Sequence, residues 1–95
     1  MAKVLIADDN ELFRRVNAEF LKLDGHDILL ARNGRETLDL VRSEQPDILL
    51  LDIMMPGLDG YEICRQVKDD PLTQGTFVIM LTAVAGSQRF KSFQA

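Results

Sequence analysis

Ninety-five residues suffice for one small domain, and 46% hydrophobic with 27% charged residues excludes a disordered polar chain. A net charge of −4, with the Lys and Arg residues scattered, argues against direct nucleic-acid binding. Cys64 is the single cysteine, so no internal disulfide can form and a reducing compartment fits. Met1-Ala2-Lys3 leads straight into Val4-Leu5-Ile6 with no secretory core. Apolar runs such as Ile48-Leu49-Leu50-Leu51 fall far short of a membrane span. The chain therefore reads as cytoplasmic.

Val4-Leu5-Ile6-Ala7 is a short, continuous apolar run, as expected of a strand buried on both faces. After Asp8-Asp9, Asn10 can cap a helix. Phe13, Val16, Phe20 and Leu23 follow at helical spacing and define its expected inward face. Asp24-Gly25 ends it, with Gly25 suited to the left-handed position. Ile28 to Ala31 is a second strand. Asn33, with Glu36 three residues on, opens a second helix in the manner of a capping box, and Leu38 and Val41 turn inward before Pro46. Ile48 to Leu51 is the third strand. Met55-Pro56-Gly57 and Asp59-Gly60 make a long turn. Ile63, Cys64 and Val67 line a third helix that stops before Pro71. Phe77 to Leu81 is the fourth strand, and a further helical stretch is expected past Ser87, with Phe90 and Phe93 on one side.

Strands and helices in alternation predict an α/β fold with parallel strands and right-handed crossovers. In such sheets ligands sit outside the carboxyl ends of the strands. Those ends carry Asp8-Asp9, Arg32, Asp52 and Thr82. Three carboxylates in one crevice repel one another, and burial makes their charge costlier still. A hard divalent cation relieves the repulsion, and oxygen ligands suit Mg²⁺. A phosphoryl group held there needs an in-line nucleophile and donors to its oxygens. Asp52 can be that nucleophile, since carboxylates form aspartyl-phosphates, and Thr82 offers a hydroxyl donor.

Three segments carry a resemblance. Ile6-Ala7-Asp8-Asp9-Asn10, the run from Leu50 to Gly60 through Asp52 and Met55-Pro56-Gly57, and Met80-Leu81-Thr82-Ala83 are similar to the receiver domains of two-component response regulators. The likeness extends over residues 1–95. It implies a flavodoxin-like three-layer sandwich with the parallel sheet in the order 2-1-3-4. It implies that Asp52 accepts a phosphoryl group from a histidine kinase or a phosphotransfer protein. By the same resemblance Asp9, Asp52 and the Met54 carbonyl bind Mg²⁺ directly, and Asp8 acts mainly through water. Thr82 and the Ala83 amide then hold the phosphoryl oxygens. The chain would be a signalling domain that catalyses only its own phosphoryl transfer, joined in its parent protein to an output domain.

The pattern departs from the family at its end. Receivers continue into a fifth strand, which ends in a Lys-Pro pair, and a fifth helix. None of the lysines, Lys3, Lys22, Lys68 and Lys91, precedes a proline. The expectation is a receiver truncated after its fourth strand and part of a fourth helix. Its fourth strand would then be an open apolar edge prone to self-association. A cut fragment that folds or assembles without being phosphorylated is the alternative. Met54 and Val84, two residues after Asp52 and Thr82, resemble the positions that govern phosphoryl loss; neither can orient a water, so slow self-hydrolysis is expected.

Other readings of these residues are weaker. An aspartate-nucleophile hydrolase wants a second acid two residues after the nucleophile, where Met54 stands. A nucleotide-binding loop wants glycines after the first strand, and Asp8-Asp9-Asn10 has the opposite character. Asp8-Asp9 alone could be a solvated helix-capping turn, but not when joined by Asp52 and Thr82 at matching strand ends. His26 reads as a surface or packing residue, Cys64 as inert core, and Met55 as core.

Overall fold

The computed structural model describes residues 2–52, 55, 59–84 and 87–93. Strand β1 is Lys3–Ala7, helix α1 Glu11–Leu23, β2 Asp27–Ala31, α2 Gly34–Glu44, β3 Ile48–Asp52, α3 Gly60–Asp69, β4 Phe77–Val84 and β5 Ser87–Phe93. The sheet order is β2-β1-β3-β4-β5. The first four strands are parallel, as the alternating pattern requires.

Alternate residues of the central strands supply two cores, one on each face. Leu5 and Ala7 of β1, Leu49 and Leu51 of β3, and Val78 and Met80 of β4 point toward α2 and α3. There they meet Val41, Ile63, Cys64 and Val67, with Met55 alongside. Val4 and Ile6 point the other way, onto Ala18 of α1. Three layers result, as the resemblance implied. Met55 and Cys64 are buried in the larger core, and burial pushes the Cys64 thiol above its ordinary pKa.

Local chemistry sets the helix ends. The Asn33 side chain accepts the Glu36 N–H at 2.9 Å, so Asn33 caps α2. The reciprocal half of the box is displaced by one residue, because the Glu36 carboxylate accepts the Arg32 N–H instead. Asp59 caps α3 by accepting the Tyr61 N–H. Gly25, at φ 81°, turns the chain after α1 in the left-handed region that favours glycine. His26 ties down the amino-terminal strand, its Nδ1 accepting the Ala2 N–H.

Two expectations are corrected here. Helix α1 does not face the sheet with Val16, Phe20 and Leu23: these are exposed, as is Leu12, and Phe20 is 68% accessible. Ala18 and Leu21 face the sheet instead. The side chain of Phe13, the other member of the expected stripe, lies outside the described residues. The stretch after Ser87 is a strand and not a helix, pairing antiparallel with β4 from Val84↔Ser87 to Val78↔Phe93. A seven-residue helix is marginal by itself, whereas the β4 edge offers a full ladder of donors and acceptors. The β4 edge is therefore occupied by the chain itself, which removes the open edge on which self-association was expected.

Candidate functional site: an acidic crevice above β1 and β3

The register of the sheet brings the acids together. Ala7, the last residue of β1, pairs with Leu51 of β3. Asp8 and Asp52 each follow that pair by one residue, so they leave neighbouring strands at the same level. The Asp8 N–H still donates to the Ala31 carbonyl at 3.1 Å, holding this residue to β2 just past the end of β1. Asp9 follows in the turn. One carboxylate oxygen from each of Asp8, Asp9 and Asp52 lies within 4.8 Å of the others. Asp8 is buried, Asp52 half-buried and Asp9 exposed.

That arrangement has an electrostatic consequence at Asp8. Burial is the largest cause raising its pKa, and the Asn10 N–H, donated to Asp8 Oδ1 at 2.8 Å, works in the opposite direction. The charge of Asp52, a hydrogen bond shared with Asp52, and the charge of Asp9 push it up further. The result is a carboxyl group raised from 3.8 to about 6. Three acids crowded at one spot, one of them holding its proton toward neutrality, form a donor set that a divalent cation would relieve. The all-oxygen chemistry fits Mg²⁺.

Other expected site residues are placed in part. Asp52 is the last residue of β3 and pairs with Leu81 of β4, so the Thr82 backbone lies one step beyond it on the neighbouring strand. The Thr82 and Ala83 backbones also pair with Arg89 and Gln88 of β5. The side chains of Thr82 and Val84, and the whole of Met54, lie outside the described residues, and with them the expected metal-binding carbonyl and the expected slow loss of phosphoryl. Arg32, at the end of β2, is turned to Glu36, with its guanidinium 2.9 Å from that carboxylate. Lys3 reaches Glu44, and Lys68 reaches the Gln74 and Thr76 carbonyls; both are committed away from the crevice.

Sequence reasoning passed over Arg14. Its side chain is 8% exposed, and its guanidinium donates to the Asp8 carbonyl at 2.5 Å. A signal was present. A cation in the first turns of a helix opposes the macrodipole and needs a local reason to be there.

Comparison with known proteins gives the class. Residues 4–94 match the response regulator receiver domain family, and the chain belongs to that family. It is 39% identical over 85 residues to the response regulator PleD of Caulobacter vibrioides, covering 90% of this chain and 19% of that protein. It is 44% identical over 66 residues to the response regulator MprA of Mycolicibacterium vanbaalenii, covering 70% of this chain and 29% of that protein. The chain thus spans less than a third of these curated relatives. Among solved structures it is similar to the N-terminal domain of a response regulator receiver protein from Methanoculleus marisnigri. The TM-score is 0.84 at 36% identity, over 88% of this chain and 68% of that one. It is also similar to the chemotaxis response regulator CheY4 of Vibrio cholerae, with a TM-score of 0.80 at 30% identity, over 84% of this chain and 67% of that one. It is a receiver domain of the two-component type. Among the described residues no helix is long and apolar enough to cross a membrane.

Proposed function

We propose that this receiver accepts a phosphoryl group on Asp52 from the phosphohistidine of a histidine kinase or phosphotransfer protein. The observation that carries the reading is the convergence of Asp8, Asp9 and Asp52 oxygens within 4.8 Å at the ends of adjacent parallel strands. Asp9 and Asp52 would hold Mg²⁺, with the Met54 carbonyl, and Asp8 would act mainly through water. When bound, the ion supplies positive charge against the equatorial phosphoryl oxygens.

This chain's own residues do the rest. An Asp52 carboxylate oxygen attacks phosphorus, forming an O–P bond as the donor's N–P bond breaks. The electron pair of that bond leaves with the imidazole, which takes a proton from solvent. Asp52 is half-buried at a strand end, which limits the directions from which a phosphoryl donor can approach its carboxylate. Thr82 and the Ala83 amide, next on β4, are the proposed donors to the transferred oxygens. The receiver would then signal by passing its phosphorylation state to an output domain.

The test is intact-mass spectrometry after incubation with phosphoramidate and Mg²⁺. The wild type should gain the mass of one phosphoryl group, and Asp52→Asn should gain none. A folded, metal-binding wild type that gains nothing would instead support a domain that assembles without being phosphorylated.

A further inference from the structure

We infer that Arg14 is a positioning residue for the acidic site: its buried guanidinium holds the Asp8 main-chain carbonyl and so sets how Asp8 and Asp9 meet Asp52. The inference rests on reading that triad as a metal site. Three hydrogen bonds close a ring through the turn between β1 and α1. The Asn10 N–H donates to Asp8 Oδ1 at 2.8 Å. The Arg14 N–H donates to the Asn10 carbonyl at 3.1 Å. The Arg14 guanidinium then returns to the Asp8 carbonyl at 2.5 Å.

The bonded carbonyl belongs to the peptide that joins Asp8 to Asp9. On its other side Asp8 is fixed by its N–H to the Ala31 carbonyl. Arg14 thus supplies the second anchor of the one residue from which both carboxylates of the turn take their direction. Without it the Asp8 carbonyl loses its charged donor, and the Asp8–Asp9 peptide is held less firmly, with the Asn10 N–H on Asp8 Oδ1 still in place. An arginine seldom becomes this buried without such a task, since its charge must be compensated. The Asp8 carbonyl takes one of its donors, and the Glu36 carboxylate on α2 feels its charge.

Charge and position predict opposite signs, which makes the role testable. A cation beside a metal site repels the metal, so loss of charge alone would tighten binding. Loss of an anchor outside the ligand set weakens it, typically by about ten- to a hundredfold.

Mn²⁺ binding to the apo protein, followed by the electron paramagnetic resonance of the free ion, separates them for wild type, Arg14→Met and Arg14→Lys. Thermal unfolding without metal identifies which variants are folded. Arg14→Met should bind Mn²⁺ about tenfold more weakly or worse. Arg14→Lys keeps the charge and the aliphatic stem, so it guards against loss of the fold. It lacks the planar guanidinium fork and should also bind more weakly. A folded variant of either kind that binds as tightly as wild type, or more tightly, overturns the inference. Failure of the wild type to bind Mn²⁺ would instead overturn the reading of the triad as a metal site.

Discussion

Asp8 is the residue whose chemistry the fold alters most visibly. It holds its proton to about pH 6 when folded, against an ordinary value of 3.8. Between those values the folded chain binds more protons than the unfolded one, so stability falls as pH rises through the window. The change should be on the order of 1–3 kcal/mol between about pH 4.5 and pH 7 in the absence of metal. Glu36 and Glu62, held below the usual range by Arg32 and Arg65, act in the opposite direction and at lower pH. Urea unfolding of the metal-free protein at both ends of the window should show greater stability at the acid end. Asp8→Asn should flatten the dependence. Greater stability at the neutral end in the wild type would mean the carboxylates do not crowd as described. The acids themselves were legible in the sequence, because strand ends in parallel sheets are where ligands gather. Arg14 was not read, because the apolar stripe through Phe13 and Val16 outweighed the weaker signal of a cation in the first turns of the helix.

At the scale of single elements, α1 shows how periodicity can mislead. Two stripes on this helix obey helical spacing: Phe13, Val16, Phe20 and Leu23, as read from the sequence, and Arg14, Ala18 and Leu21. The larger side chains favour the first stripe on hydrophobicity. The sheet takes the second, where Ala18 meets Val4 and Ile6 and is only 4% exposed. A small residue lets the helix approach the strands closely, and spacing alone does not encode that approach. Substitutions should reverse the ranking that hydrophobicity suggests. Ala18→Leu should destabilise by about 1–3 kcal/mol through overpacking. Phe20→Ser should stay within about 0.5 kcal/mol, as surface changes do. Denaturant midpoints for the two variants check this, and a larger loss from Phe20→Ser would restore the stripe read from the sequence. The Asn33 cap of α2 and the left-handed Gly25 were legible, since each follows from a residue's own side chain or its lack of one, whereas Asp59, read as part of a turn, proves to cap α3.

For the molecule as a whole, the order β2-β1-β3-β4 was legible and β5 was not. Phe90 and Phe93 suggested a helix by their spacing, but a long-range partner, the β4 edge, decided the conformation. Sequence windows do not see that edge. Pairing by β5 replaces an outer strand whose run Phe77 to Leu81 is wholly apolar with one carrying Arg89 and Lys91, charges of the kind that protect an edge. The chain should therefore not associate through β4 while β5 is in place. Proline removes a ladder donor, and in an antiparallel pair alternate residues face the partner strand. Of Lys91→Pro and Ser92→Pro, the one that removes a donor to β4 should release the edge and raise the mass seen by light scattering at micromolar concentration. If neither variant raises it, the state of the β4 edge does not control association.

All three scales meet at Asp52, where the β1–β3 register, the crowded carboxylates and the proposed phosphoryl transfer coincide. The most direct measurement is chemical trapping of the phosphorylated residue. Borohydride reduces an aspartyl-phosphate to homoserine, and peptide mass spectrometry then locates the reduced residue. After treatment with phosphoramidate, homoserine should appear at position 52, in the presence of Mg²⁺ and not when the metal is chelated. Homoserine at another aspartate, or a phosphoryl group that is gained equally well without a divalent cation, would contradict the account.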